Sequence, residues 1–185
     1  MKLPVYAYGQ AVLKKVAVDI SSDYPNMDKL IEDMWETMYH AGGVGLAAPQ
    51  VGLSIRLFVV DTLQMKDEKT KGEGIKQVFI NPEIIEETEE LCSYEEGCLS
   101  IPDLAGDVDR PVGITIRYLD EQFQPNTIKF EGINARVIQH EYDHIEGVLF
   151  IEHLKPLKRR LLKSKLEQIR KGKVKADYSM RFAEK

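Results

Sequence analysis

The stretch Gln139-His140-Glu141-Tyr142-Asp143-His144 constrains this chain more than any other. It reads H-E-x-x-H. On a helix, residues four apart share a face, so His140 and His144 can grip one metal ion. Glu141 then stands beside the metal as a candidate general base. Two of the chain's four histidines sit here. Any fold that houses the pair must hold a helix whose ligand-bearing face turns inward. No Pro interrupts residues 133–138, and Gly147 is placed just past the C-terminal end. At about 100° per residue, Ile133, Val137, His140 and His144 fall on one stripe. Ile138, Tyr142 and Ile145 form a second apolar strip. Arg136, Gln139, Asp143 and Glu146 take the remaining polar side; Arg136, one position off the ligand stripe, can reach the pocket rim or solvent, and solvent is the expectation. Buried imidazoles need partners, and a metal supplies one.

The rest of the chain reads as elements around that helix. Asn26 or Asp23 can cap a helix through Leu30, Ile31, Met34, Trp35 and Met38, ended by Gly42 and Gly43. Residues 55–60 read as a buried strand, and 78–80 as a short one ended by Asn81-Pro82. Residues 84–94 look extended. Residues 113–119 alternate as a half-buried strand, and 128–130 form another. The charged, glycine-bearing run 66–74 reads as a mobile loop. Pro156 opens a last helix with Leu157, Leu161, Leu162, Leu166 and Ile169 inward, ending near Gly172. Strands do not alternate regularly with helices. The expected class is therefore α+β, with mixed or antiparallel strands packed around the central metal-binding helix and a helix near each terminus. With 185 residues, one catalytic domain over 1–185 is expected.

Composition narrows the setting. No apolar run approaches about 18 residues, so no membrane span is expected. Residues 1–10 resemble neither a signal nor a transit peptide, and a cytoplasmic protein is expected. Two cysteines, Cys92 and Cys98, make no disulfide framework. Cys92 is expected to be a small packed core residue. Residues 155–185 hold 12 Lys/Arg and 3 Asp/Glu, a net of +9, against 13 and 27, a net of −14, elsewhere. That basic tail fits either a solvated face or contact with a polyanion such as RNA.

A catalytic metal usually has three protein ligands. The third is open among Cys92, Cys98, His40, His153 and a carboxylate. Cys98 stands in the tight segment Glu96-Gly97-Cys98-Leu99-Ser100. Glu96, if buried, wants a cation, and Arg110 is a candidate partner. Asp143 is a candidate for the same supporting layer, although the helical wheel puts it on the polar side.

Three segments, Gly43-Val44-Gly45-Leu46-Ala47-Ala48-Pro49-Gln50, Glu96-Gly97-Cys98-Leu99-Ser100 and Gln139-His140-Glu141-Tyr142-Asp143-His144, resemble the three motifs of peptide deformylases, in order and at family-like spacing. The likeness spans nearly the whole chain, and the helical C-terminus is similar to the bacterial class. No motif covers 66–74 or the tail after Gly172. The resemblance implies removal of the N-formyl group from the N-terminal methionine of nascent polypeptides, releasing formate. It implies one divalent ion held by Cys98, His140 and His144, with Fe²⁺ in cells and Zn²⁺, Ni²⁺ or Co²⁺ in isolated protein. It implies water activated at that ion, Glu141 as general acid/base, and the Leu99 N–H and Gln50 amide at the formyl oxygen.

Gly43 and Gly45 let the backbone approach an extended peptide closely. Val44, Ile133 and Val137 are expected walls of a methionine-sized pocket. The expected enzyme is a monomer, with a basic C-terminal helix suited to the ribosome. The rival readings are a zinc peptidase, which would want a third His or Glu downstream of the helix, and a metal-stabilised binding module, which would need neither Glu141 nor Gln50.

Overall fold

The computed structural model of the chain describes residues 1–65 and 74–184. The expected mobile loop at 66–74 therefore falls, for 66–73, outside the described residues. Strand β3 (Leu57–Asp61) shows how the layers are arranged. All five of its residues are buried, as happens when both faces of a sheet are covered. Side chains alternate across a strand. Leu57 and Val59 enter one apolar cluster, and Phe58 and Val60 enter another.

The sheet containing β3 also holds β2 (Gly45–Ala47), β4 (Lys76–Glu87), β7 (Gly113–Leu119) and β8 (Pro125–Glu131). Their order is β2-β3-β4-β7-β8, and every neighbouring pair is antiparallel. On one face lies helix α1 (Met27–His40), whose Ile31, Met34 and Met38 join Leu57, Val59, Val78 and Ile80. On the other lies helix α2 (Gly132–Ile145), whose Ala135, Ile138 and Ile145 join Phe58, Val60, Phe79 and Ile116. Each fully buried side chain of this size is worth about 1.5–3 kcal/mol of transfer free energy. These contacts hold α2 against the sheet.

A two-stranded antiparallel ribbon, β5 (Leu91–Cys98) and β6 (Ile101–Pro111), stands beyond α2. Its Ile101, Leu104 and Val108 form a third cluster with Leu162, Leu166 and Ile169 of helix α3 (Pro156–Arg170). The order is thus α1, sheet, α2, ribbon, α3. The helix that carries H-E-x-x-H is enclosed on both sides, as the α+β reading requires. A parallel pair of short strands, β1 (Val5–Tyr6) and β9 (Met180–Arg181), joins the two ends of the chain. Among the described residues no helix is long and apolar enough to cross a membrane.

Several local expectations are corrected. β4 does not stop at Asn81-Pro82 but continues to Glu87, through a register shift between Ile80 and Glu83. Asn81 takes a positive φ of 47° there, and its side chain exchanges hydrogen bonds with both backbone groups of Ile20, at 2.9 and 2.7 Å. A proline is tolerated at such a bulge because no ladder N–H is needed. Asn26 occupies the N-cap position of α1, but its side chain makes no capping bond. Leu157 and Leu161 of α3 are exposed, at 70% and 69%. They lie about 140° and 100° around the helix from Leu162, off the stripe that reaches the ribbon. Strand β6 had no counterpart in the sequence reading.

Candidate metal centre

Residue Cys98 ends β5, and His140 and His144 come from successive turns of α2. One ligand atom from each lies within 4.8 Å of the others. Cys98 Sγ is 3.3 Å from His144 Nε2. The imidazoles meet nearly at right angles, with centroids 5.1 Å apart and planes at 78°. His140 Nδ1 sits 2.9 Å from Glu96 Oε2. That contact leaves His140 Nε2 as the ring's other nitrogen for coordination.

The electrostatics of this cluster suit a cation. Burial works against a charge on His140, yet its contacts with Cys98 and Glu96 hold its pKa well above the ordinary value. Burial and the neighbouring cations push His144 well below its ordinary value, so it stays neutral, the form that ligates. A thiol between two imidazoles is a donor set for a soft or borderline divalent ion. Three protein donors leave one position open, as catalytic sites do. Glu141 is only 4% exposed, and its Oε2 has no hydrogen-bond partner among the described residues. Burial raises its pKa to about 7, against the attraction of His140. An unpaired buried carboxylate beside a cation site is poised to exchange a proton near neutral pH.

The ligands rest on a buried ionic layer. Arg110 from β6 donates to both Glu96 oxygens, at 2.6 and 3.1 Å, as the sequence suggested. Arg136 donates to Glu96 at 2.8 Å and to the carbonyls of Val108 and Cys92 at 2.8 and 2.6 Å. Of the two placements open to Arg136, solvent is therefore wrong and the pocket rim is right; it is 4% exposed and borders the cleft. Polar residues of α2 turn toward the ribbon rather than toward water, because the ribbon supplies carboxylates and free carbonyls. Gln139 does the same, donating to the Pro111 carbonyl at 3.0 Å. Burial disfavours the charge on Glu96, but hydrogen bonds from His140 and Arg110 hold its pKa well below the usual carboxylate range. Asp143 belongs to the same layer, 2.8 Å from both Arg110 and His153. Cys92, expected in the core, is exposed, with its sulfur 3.2 Å from Arg136. His153 pairs with Asp143, a role the sequence reading did not give it.

The glycine-rich segment forms the opposite wall. Gln50 is 1% exposed. Its Oε1 accepts from the Ala47 N–H at 2.9 Å, which directs its amide nitrogen toward Ser100 Oγ at 3.3 Å and Cys98 Sγ at 3.5 Å. A cleft of about 920 Å³ runs between the walls. Gly43, Val44, Gly45, Gln50, Cys98, Leu99, Ile133, Val137, His140 and Glu141 all border it. His144 does not; it lies behind them, 1% exposed. The sequence reading missed a further stretch of wall, residues 175–178, contributed by the chain after α3. Its signal was present in the alternation of Val174, Ala176, Tyr178, Met180 and Phe182 with polar or charged residues.

Gly45 is needed for space. A Cβ there would meet the Glu141 carboxylate at 2.4 Å. Gly45→Ala is expected to displace Glu141 without unfolding the chain, since β2 accepts alanine. A misplacement of about 1 Å in a reacting group costs about 10²-fold in rate. Steady-state kinetics beside a thermal melt checks this, and an unchanged rate would refute it.

A family model described as polypeptide deformylase matches residues 2–160. A peptide deformylase of Christiangramia forsetii is 53% identical over 189 residues, covering 98% of this chain and 96% of that protein. The crystal structure of a Legionella pneumophila peptide deformylase superposes with a TM-score of 0.81 at 37% identity, over 94% of this chain and 98% of that one. A class I type b peptide deformylase from Acinetobacter baumannii, solved with Met-Ala-Ser bound, gives 0.77 at 36% identity, over 83% and 99%.

Proposed function

This chain belongs to the polypeptide deformylase family, and from that premise we propose the residues and steps by which it removes the formyl group from N-formyl-methionyl polypeptides. The observation that carries the reading is the convergence of Cys98, His140 and His144 beside the buried Glu141 carboxylate, whose Oε2 has no partner among the described residues. Cys98, His140 and His144 would hold one divalent ion. When bound, that ion supplies Lewis acidity, polarising the formyl group and making a water acidic near neutral pH. Glu141 takes the proton from the attacking water and later gives it to the departing amine. The Leu99 N–H and the Gln50 amide stabilise the charge that grows on the formyl oxygen. The Gln50 amide is held for this by the Ala47 N–H on its oxygen.

The methionine side chain lies along Val44, Ile133 and Val137, and the peptide runs extended past Gly43 and Gly45. The Met-Ala-Ser bound to the Acinetobacter relative is the product such a substrate leaves. Residues 1–185 work as one catalytic domain in the cytoplasm, as a monomer. The likeness to the deformylase family points to Fe²⁺ as the ion in cells, while the thiolate in the donor set suits soft or borderline divalent ions in general. Anaerobic purification with metal analysis tests that choice, and zinc as the sole metal would refute it.

Formate release from formyl-Met-Ala-Ser by the metal-loaded full chain tests the activity. Cleavage of internal peptide bonds without formate would instead support the zinc-peptidase reading, and metal binding with neither product would support the binding module.

The exposed basic residues of α3, among them Lys158, Arg159, Arg160 and Lys163, provide a surface for ribosomal RNA. Co-sedimentation with ribosomes is expected, weakening steeply as salt rises. Binding that ignores salt, or no binding, would refute that contact.

A further inference from the structure

The chain beyond α3 does not trail into solvent. Residues 171–182 alternate between exposed and half-buried, as a strand lying on a surface does. Val174, Met180 and Phe182 pack on the third cluster, which also includes Cys98 among its partly buried neighbours. β9 pairs with β1, and backbone bonds of 2.9 Å run from Val5 N–H to the Ser179 carbonyl and from Ala7 N–H to the Arg181 carbonyl. The Gln10 amide adds a bond of 2.8 Å to the Phe182 carbonyl. The two ends of the chain thus form a clasp.

That clasp closes on the segment following Cys98. The Tyr178 hydroxyl donates to the Leu99 carbonyl at 2.7 Å. The Tyr8 N–H donates to the Ser100 carbonyl at 2.8 Å. The Ser100 hydroxyl lies 3.3 Å from the Gln50 amide nitrogen. Leu99 sits between two peptide planes. Cys98, a metal ligand, fixes the one before it, and that plane carries the Leu99 N–H. The plane after it carries the carbonyl that Tyr178 holds. With one plane held by Tyr178 and the other tethered through Cys98, rotation of the backbone at Leu99 is restricted. The Leu99 side chain lies close against Gly43, where an added Cβ would meet it at 2.8 Å.

We infer that Tyr178 is a positioning residue for deformylation, holding the Leu99–Ser100 backbone so that the Leu99 N–H stays aimed at the formyl oxygen. This rests on the proposed role of the Leu99 N–H. Tyr178 itself touches no reacting atom in this account. It acts through the backbone, and the C-terminal strap that carries it is part of the active site rather than an appendage.

The test is Tyr178→Phe in the full chain loaded with one metal. The ring stays, so packing is kept, and only the hydroxyl is lost. Losing an oxyanion donor outright costs about 10²–10³ in rate, so loosening one should lower kcat by about 10-fold. KM for formyl-Met-Ala-Ser, metal content and melting temperature should hold. A second readout needs no catalysis: amide hydrogen exchange at Leu99 and Ser100 should quicken, because the clamp on the segment is released.

Unchanged exchange with unchanged kcat would overturn the clamp itself. Quickened exchange with unchanged kcat would overturn the inference by removing the Leu99 N–H from the reaction. A raised KM alone would make the strap a substrate contact, and a lower melting temperature alone would make it structural; either overturns the inference. A wild-type enzyme that releases no formate would instead defeat the deformylase reading.

Discussion

Replacing Glu141 by Gln is expected to remove turnover while leaving the metal in place. The carboxylate is enclosed, its Oε2 has no hydrogen-bond partner among the described residues, and burial brings its pKa to about 7. A group with that pKa near working pH can both accept and return a proton, which contributes about 10²–10⁴-fold. The amide of Gln fills the same volume and does neither. Glu141 is not one of the three converging ligands, so metal stoichiometry should stay at one per chain. Formate release from formyl-Met-Ala-Ser, measured beside metal analysis, checks both halves. A rate near that of the wild type would remove Glu141 from the mechanism.

The same substitution has a stability signature in the metal-stripped protein. The folded pKa of Glu141 is raised above its ordinary 4.5, so the folded state holds the proton more tightly than the unfolded state. Wild-type stability should therefore fall as pH rises from about 4.5 through about 7. Gln has no proton to lose, so the variant should escape that fall. Melting curves of the two proteins should converge below pH 4.5 and separate above it, with the variant higher. A constant gap would contradict the shift.

Much of this was legible in the chain because two signals are local. The stripe Ile133, Val137, His140, His144 required a core-facing helix, and α2 spans Gly132–Ile145 with Gly147 at positive φ just past its end. The three motifs then located the cleft wall by wall. What was not legible depends on partners distant in sequence. Arg136 and Gln139 look like a solvent face when α2 is drawn alone. They are buried because β5 and β6 bring Glu96 and free carbonyls to them.

Strand β5 misleads in the opposite sense. It is largely exposed, and the residue it buries is a carboxylate. Cys92 is left outside on that account. The helix wheel and the motif disagreed over Asp143, and both were partly right, since it is half-buried between Arg110 and His153. The C-terminal strap had the period-2 pattern of a strand, but a lone strand at the end of a chain has no meaning until its partner is known. That partner is the N-terminal strand, at the far end of the sequence.

Glu96→Ala is the substitution with the largest expected effect on stability. Glu96 is the sole carboxylate bonded to both Arg110 and Arg136 among the described residues, and it also meets His140. Removing it leaves two nearly buried guanidinium groups facing each other, with Asp143 compensating Arg110 alone. Breaking a buried pair from one side costs about 3–5 kcal/mol, chiefly because the stranded charge stays desolvated. For a chain of this size each kcal/mol moves the melting temperature by about 2–4 °C, so a fall of about 10 °C is expected.

His140 loses its orienting acceptor at the same time. Such losses weaken metal binding by about 10–100-fold. Glu96→Gln separates the two effects. It retains a carbonyl for His140 Nδ1, so metal affinity should recover more than stability, which depends on the charge. Chelator competition and thermal melts on the two variants measure this. Equal losses in both would mean that Glu96 orients His140 through its charge rather than through the hydrogen bond. A melting temperature unmoved in Glu96→Ala would mean that water enters the layer and solvates the arginines once the carboxylate is gone.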